Sequence, residues 1–519
     1  MLRFASAPPA VRLTKAFQTP FRNVVATART CYSSKGIIDD ADVGDRERFS
    51  PLAQSIYEAG HHTTFQHAHF QFAIENVSRH FIWGFLHAHP FYNSEQVSQR
   101  YVHVRPDTAV VPELPADQDA VYRGAVEELF AAYERLSEML EGPVESAFFS
   151  RFPRSPRREK EQRSAIRKKA QEIARYVLPV ATHAYLYHTV SGVTLLRYWR
   201  VCQGWDLPSE QRLVVGAMVD ELLRFDPNYD IVLQPPLDPE RFPEDALFES
   251  VPGAWDRSQA ATFTGEFDAG MEGNEASKLV GWQENAPAIV AQAVREVLGR
   301  PLAAMDDEAA IRLVLDPSQN RLLGESLNLT THHKLSRALH HAHYVFRKRL
   351  SHAADSQDQR HRMTPASRPV LAAHLLDVPD YVTPELFRHD EPCLALYRGT
   401  MERLWESIAR LEALGAPQEA LQYLLPNAAT VRFTESADLL NLRHKHTMRL
   451  CFNAQEEIWR ASREEALQIR DVHPQLGAFL LPPCTQRAMA HSKPICPEGK
   501  RYCGVRVWKQ DVTEYERII

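Results

Sequence analysis

His67-Ala68-His69-Phe70-Gln71-Phe72 in the first half of the chain is answered by His341-Ala342-His343-Tyr344-Val345-Phe346 in the second. Later landmarks recur too: Leu178-Pro179 is echoed by Leu425-Pro426, and Glu210-Gln211 weakly by Ala454-Gln455. So long a separation is not a solenoid period of about 20–50 residues. It reads as two copies of one domain fused in tandem, and the question becomes which copy kept which chemical groups. A chain of 519 residues is too long for one core and suits two domains of roughly 250 residues. Module one is expected over 11–241 and module two over 278–519, with 242–277 between them as a linker. Pro235 to Ser277, around that boundary, is rich in Pro, Gly and acidic residues and poor in periodic apolar positions. It reads as a linker or an ordered surface excursion.

The bulk numbers narrow the function classes. Apolar content of 44% is that of a soluble globular protein, and a net charge of −6 does not make a general nucleic-acid trap. No run of about 18 apolar residues is present, so no membrane span is expected. Met1 to Pro20 lacks the continuous apolar segment of a secretory signal. Seven cysteines scattered over the chain do not form a disulfide framework. Together these point to the cytoplasm.

Most of each module reads helical. Asp117 to Glu141 carries Val121, Ala125, Leu129, Tyr133, Leu136 and Leu140 at helical spacing, and Arg212 to Phe225 and Asn285 to Leu298 are similar. The two HAH segments and Val102 to Val111 read as strands, with alternate residues turned to the core. The class is α+β with helix dominant.

Residues that carry chemistry come in clusters. Gly60-His61-His62-Thr63-Thr64-Phe65-Gln66-His67 is a His-rich turn in which Gly permits close backbone approach. Val77-Ser78-Arg79-His80 follows, then Glu95-Gln96-Val97-Ser98-Gln99-Arg100-Tyr101. Ser98 and Arg100, two apart in a loop, suit a single phosphate: hydroxyl and backbone N–H donate while the guanidinium forks onto the oxygens. The plainer reading of this pair is a helix cap beside a surface arginine.

These residues resemble the flavin-dependent thymidylate synthases (ThyX). That family has an AR-x-CY start, a GH-x-[ST]-x-x-EH turn and an SRA…Q-x-x-RHR…S-x-RY loop. An R-x-x-LP segment and an N-x-R…LR…AQ-x-E helix follow. Module one is similar at Ala28-Arg29-Thr30-Cys31-Tyr32, Gly60–His67, Val77-Ser78-Arg79, Ser98-Gln99-Arg100-Tyr101 and Arg175-Tyr176-Val177-Leu178-Pro179. It departs where His87-Ala88-His89 stands for RHR, where Gln66 stands for Glu, and where Trp205 falls at the late LR arginine, counting back from Gln211; Arg197 and Arg200 are near but out of register. Module two matches once one residue is deleted after its HAH segment. Ser351-His352-Ala353, Gln357-Asp358-Gln359-Arg360-His361-Arg362, Leu425-Pro426, Arg432-Phe433, Met448-Arg449 and Asn453-Ala454-Gln455-Glu456-Glu457 then fall in order. Its S-x-RY loop is cut to Ala366-Ser367-Arg368-Pro369, Gln422 replaces the R-x-x-LP arginine, and Asp438, Leu440 and His444 replace family Asn and Arg positions.

The resemblance implies two tandem copies of a ThyX-like fold, helices around a small antiparallel sheet. It implies reductive methylation of dUMP at uracil carbon 5, with FAD, NADPH and methylene-tetrahydrofolate. By it, Arg360, His361 and Arg362, together with Thr63, Gln96 and His444, meet the flavin. Gln357, Ser98, Gln99, Arg100, Arg175, Tyr101 and Arg449 meet the nucleotide. Arg449 would stabilise the ionised uracil, with Ser98 and His61 as further catalytic groups and His61 and Tyr101 on the folate side. Family sites lie between subunits of a homotetramer, so module one's phosphate groups would join module two's flavin groups in one composite site. Two chains would then form a homodimer that mimics the tetramer. The competing readings are a relative acting on another uracil nucleotide and a non-catalytic nucleotide-binding protein.

Two features lie outside that pattern. Arg151 to Arg175 is a basic run, read as a solvated helix face or as an attractor of polyanions such as polyglutamylated folate or RNA. Cys484, Cys496 and Cys503, with His473 and His491 near in sequence, read as a structural zinc site or as three unrelated buried thiols.

Overall fold

Each HAH segment opens the inner strand of its own four-stranded antiparallel sheet. The first sheet holds β1 (Ala10–Ala16), β2 (His69–Ser78), β3 (Asn93–Gln96) and β4 (His183–Ser191) in the order β1-β2-β4-β3. The second holds β5 (Ser277–Trp282), β6 (His343–Ser351), β7 (Ala366–Ser367) and β8 (Thr430–Asp438) in the matching order β5-β6-β8-β7. The structure, a computed structural model, describes residues 1–106, 108–204, 206–245, 257–517 and 519. The period of two holds: Phe70 and Phe72 of β2 and Tyr344 and Phe346 of β6 are fully buried, while His69 and His343 are exposed.

β2 is one residue longer than β6. Asn76 sits at φ 57°, and the β2–β4 register shifts between Ile74 and Val77. The β6–β8 register runs unbroken. This bulge accounts for the residue that must be deleted to keep the two sequences in step. Register now fixes equivalent positions: Lys348 pairs with Phe433 as Ile74 pairs with Leu186, and Ser351 with Thr430 as Ser78 with His183.

The helices follow the apolar spacing. The expected helix at Asp117 is observed as Ala116–Met139, burying Ala125, Leu129, Tyr133 and Leu136, and it packs on Glu391–Ala413 of module two. The other two expected helices are observed as Pro208–Phe225 and Ala286–Leu298. Val102 to Val111 is not a strand: among its described residues only Ala109 bridges, to Thr182, since Pro106 interrupts the segment and offers no N–H. Within 242–277 the chain forms a helix, Arg257–Ala269, whose Asp268 accepts from Nε and Nη2 of the buried Arg432 at 2.8 Å each.

The modules lock together reciprocally at the two Leu-Pro segments. Val180 N donates to Leu425 O and Ala181 N to Tyr423 O, while Asn427 N donates to Leu178 O and Ala428 N to Tyr176 O. Tyr176, Leu178, Tyr423 and Leu425 belong to one apolar core shared by both modules. A second core lies in module two, around Val290, Ile311, Tyr344 and Leu442.

Two buried glutamates complete the seam. Glu210 accepts from Ser78 N and Oγ, both at 2.6 Å, and from the Tyr423 hydroxyl at 2.8 Å. Glu457 accepts from Ser351 N and Oγ at 2.5 and 2.6 Å and from the Tyr176 hydroxyl at 2.6 Å. Each module's tyrosine serves the other's glutamate. Glu457 is therefore the counterpart of Glu210, and the Ala454-Gln455 echo is a register slip. By the same count the buried Cys202 stands opposite Arg449; Trp205 lies outside the described residues.

Candidate functional site

A cavity of about 620 Å³ opens at the seam, and both modules line it. Module one contributes Arg79 from the start of helix Arg79–His87, the Glu95–Tyr101 loop and Arg175. Module two contributes Leu322–Ser326 and Thr330, Gln357 and Arg360 near the end of helix His352–Asp358, and one face of helix Leu439–Arg449. The C-terminal tail adds Gln486, Arg487 and Arg501.

The wall is dominated by guanidinium groups. Arg79 donates to Gln96 Oε1 at 2.7 Å. Burial first, then Arg175 and Arg360, pull its pKa down to about 10. Arg443 donates to Gln486 Oε1 at 2.6 Å and is lowered to about 10 by burial. Arg449 donates Nε to His361 Nε2 at 2.8 Å and Nη2 to the Gln357 carbonyl at 2.7 Å. Burial lowers it to about 10; Asp358 opposes the shift and Arg100 and Arg360 add to it. His361 accepts as a neutral ring, because burial and Arg449 hold its pKa well below the usual histidine value. Arg100 donates to the Asn453 carbonyl at 2.9 Å and pairs with Glu172 at 3.1 Å. Arg360 pairs with Glu95 at 2.9 Å.

Several buried donors here lack a partner: Nε of Arg79 and Arg443, Nε and Nη2 of Arg175, and the side-chain amides of Gln99 and Gln357. Buried cations that repel one another and keep unsatisfied N–H groups are the signature of a site built for an anion. Arg79, Arg443 and Arg449, lowered only to about 10, stay charged at pH 7.

The structure brings together Gln96, Ser98, Gln99, Arg100, Tyr101, Arg175, Gln357, Arg360, His444 and Arg449 at this cavity. His361 stands behind Arg449 as its acceptor. Arg362 turns to an adjoining cavity of about 460 Å³, with its guanidinium 4.9 Å from the Tyr92 ring centre. His61 and Thr63 are exposed and are not brought to the central cavity. The short 3₁₀ turn just after them packs on helices Pro20–Thr30 and Gly192–Val201, and the latter is the counterpart of Leu439–Arg449. They therefore lie beside the opposite site.

That opposite site is filled. His352, His80, Trp83, Gln422 and His87 stand where the open cavity has Arg79, Ala353, Ser356, Arg175 and Arg360. Trp83 donates to Asp355 Oδ2 at 2.7 Å and packs on His352 at 5.3 Å and His87 at 5.0 Å between ring centres. His80 bonds Gln422 Oε1 at 3.2 Å. His87 lies 3.5 Å from Asp355, but burial outweighs that carboxylate and lowers its pKa to about 4, so the contact is not an ion pair near neutrality. Burial likewise takes His80 down to about 4 and His352 well below the usual value. Because these pKa values are depressed, their share of stability is complete above about 6.5 and is lost as pH falls towards 4. The carbon-2 protons of His80, His87 and His352 are accordingly expected not to titrate between pH 5 and 8 in NMR; an ordinary midpoint near 6.5 would refute the packing.

Sequence reasoning missed Leu322–Thr330, Arg443, Gln486, Arg487 and Arg501. Arg79 was visible in the Ser78-Arg79 step, but the tail arginines fall in no motif. Most of the cations of Arg151–Lys169 are exposed, and Arg154, Arg158, Arg163 and Arg167 pair with Glu145, Glu161, Glu159 and Glu141, as on a solvated helix face. The zinc expectation is corrected. Cys484, Cys496 and Cys503 share a small, mostly apolar cavity with Cys451, but no group of three or more His, Cys, Asp or Glu among the described residues is arranged to hold a metal ion. His473 is spent elsewhere, bonding Tyr344 and Glu284. Burial pushes the Cys484 thiol up to about 12, the neighbouring thiols adding to it. All seven cysteines are free, and no described helix is long and apolar enough to cross a membrane.

A family profile described as thymidylate synthase complementing protein (Thy1) matches residues 12–228 and again 278–475. A flavin-dependent thymidylate synthase of Clostridium tetani (strain Massachusetts / E88) is 27% identical over 221 residues, covering 42% of this chain and 84% of the relative. One from Nitratidesulfovibrio vulgaris (Hildenborough) is 28% identical over 218 residues, covering 40% and 81%. Among solved structures, a UMP/dUMP methylase PolB from Streptomyces cacaoi bound with 5-Br dUMP is 19% identical with a TM-score of 0.32, covering 44% of this chain and 94% of that one.

Proposed function

The chain belongs to the thymidylate synthase complementing protein family, in two tandem copies, and from that premise we propose that it methylates a uracil nucleotide at carbon 5 in one composite site per chain. The observation that carries the reading is the cavity itself, where guanidinium groups from both modules converge with unsatisfied buried N–H groups. The likeness to flavin-dependent thymidylate synthases supports a flavin cofactor and a uracil nucleotide substrate; in this reading they are FAD and dUMP. Methylene-tetrahydrofolate and NADPH are the co-substrates in this reading.

The donor set fits these groups. Ser98 and Arg100, with Arg175 behind them, take the nucleotide phosphate. Arg79, Arg360 and Arg443 match the charge of a dinucleotide's phosphates, and Gln96 and His444 offer hydrogen bonds to a heterocycle. FAD, when bound, supplies the hydride chemistry. Arg449, held by neutral His361 and the Gln357 carbonyl, stabilises negative charge developing on the uracil carbonyl as carbon 5 becomes nucleophilic. Tyr101, half exposed at the rim, offers a ring face to the folate.

Because Trp83 and its neighbours fill the opposite site, titration of the purified chain is expected to end at one FAD and one dUMP per polypeptide. Two equivalents would overturn the single-site reading. Tritium release from 5-labelled dUMP, with labelled UMP run in parallel, identifies the substrate. A colourless protein without release would leave a non-catalytic binder.

A further inference from the structure

We propose that Glu435 is a pH-dependent positioning residue for Arg449, acting through a sealed charge network beneath the Gln357–Arg362 turn. Six side chains with no solvent exposure form that network: Lys348 of β6, Glu435 of β8, Asp358 at the end of helix His352–Asp358, Lys445 and His446 of helix Leu439–Arg449, and Glu465 of helix Glu456–Val472. Lys348 Nζ meets Asp358, Glu465 at 3.1 Å and Glu435 at 3.4 Å. Lys445 Nζ meets Glu435, Glu465 at 3.3 Å and Asp358 at 3.4 Å. His446 bonds Glu465 at 3.0 Å, Ser277 donates to Glu465 at 3.1 Å, and Thr364 donates to Glu435 at 3.4 Å. Arg368, from the loop at β7, also feels the Glu435 charge.

Module one shows that the fold does not need these charges. Its register equivalents of Lys348, Asp358, Glu435, Lys445 and Glu465 are Ile74, Phe85, His188, Tyr198 and Met218, all buried, with Phe85, His188 and Tyr198 packed ring to ring. A sealed ion cluster is a costly substitute for that core, since desolvation offsets much of the attraction. It occurs in the copy that carries Arg360-His361-Arg362, whereas the aromatic core lies under His87-Ala88-His89.

The charge count identifies the switching member. Two lysines balance two carboxylates. Burial and then Asp358 push the Glu435 carboxyl up to about 7, while Lys348 and Lys445 overcome burial to hold Asp358 and Glu465 down. Burial keeps the His446 pKa below its usual value, against the pull of Glu465. Below pH 7 two lysines face two ionised carboxylates; above it a third ionises and competes with Asp358 and Glu465 for the same two lysines. A raised pKa means that Glu435's contribution is complete below its ordinary value and is lost as pH rises through about 7. Both groups that respond, Asp358 and Lys445, hold the arginine's surroundings. The Asp358 carbonyl accepts from His361 N at 2.9 Å, and Lys445 lies one turn before Arg449. His361 and Gln357 in turn fix the Arg449 guanidinium.

Hydrogen exchange of the ligand-free full chain tests this. Protection of the 357–362 amides, corrected for intrinsic rates, is expected to fall about tenfold between pH 6 and pH 8 and to stay level in Glu435→Gln. A second variant copies the core that the fold already builds in module one: Lys348→Ile, Asp358→Phe, Glu435→His, Lys445→Tyr and Glu465→Met. It is expected to lose the same response. A pH response equal to that of the unaltered chain in either folded variant overturns the proposal. The link to Arg449's task rests on the proposed function, but this readout needs no flavin. In a parallel titration, FAD affinity should weaken over the same range and stay level in Glu435→Gln; a chain that bound no FAD would count against the proposed function alone.

Discussion

Arg449→Ala is expected to cut turnover of the labelled uracil nucleotide by about 10²–10³-fold, the loss typical when one preorganised donor to developing negative charge is removed. The size follows from how the guanidinium is held. Nε and Nη2 are spent on His361 and Gln357, so among the described residues Nη1 is left for a ligand. Burial and two neighbouring arginines make this cation costly to keep, and an anion that relieves the cost gains most where its charge is greatest. Arg100→Ala, in the other module, is expected to weaken nucleotide binding by about 10–100-fold, as loss of a charge-assisted bond worth about 1.5–3 kcal/mol implies. Arg362→Ala serves as the contrast, since its guanidinium faces Tyr92 and the adjoining cavity, and less than about tenfold loss is expected. The tritium-release assay checks all three. Full turnover in Arg449→Ala would remove the arginine from the chemistry and leave only an anion-binding cavity.

Much of this was legible in the chain because repeats and arginine motifs are local in sequence. The HAH pair located one inner strand of each sheet, and the one-residue deletion after it corresponds to the bulge at Asn76. Ser98, Arg100, Gln357, Arg360 and Arg449 could be read from their motifs. Which turn serves which site could not. His61 and Thr63 sit in a motif, yet the pseudo-symmetric arrangement carries them to the filled side. The filling itself is invisible in sequence: the motifs already set Trp83 opposite Ser356, but not that its ring packs on His352 and His87 and closes the space. The tail arginines escaped for a similar reason, since nothing local marks a segment that docks against a cavity built from distant parts of the chain.

Glu457→Ala is expected to destabilise the whole chain by about 3–4 kcal/mol, because Ser351 N, Ser351 Oγ and the Tyr176 hydroxyl lose their acceptor in a dry seam and each unsatisfied donor costs about 1–3 kcal/mol. The serine hydroxyl can re-aim, which keeps the sum below three full penalties. Glu210→Ala removes the mirror set and is expected to cost an amount of the same order. Burial raises both carboxyls, Glu210 to about 7, so Glu210's contribution is full below about 4.5 and falls as pH rises through 7, and Glu457's falls in the same direction. Urea unfolding at pH 6, followed by tryptophan fluorescence and by far-UV circular dichroism, measures both effects. The two signals should coincide and shift together, since Tyr176 and Tyr423 lie in one shared core and each is the other module's donor, so neither half can open without leaving a buried carboxylate short of a bond. Separate transitions, with Glu457→Ala moving only one, would mean that the seam does not couple the modules and that a cavity assembled across it has no rigid support.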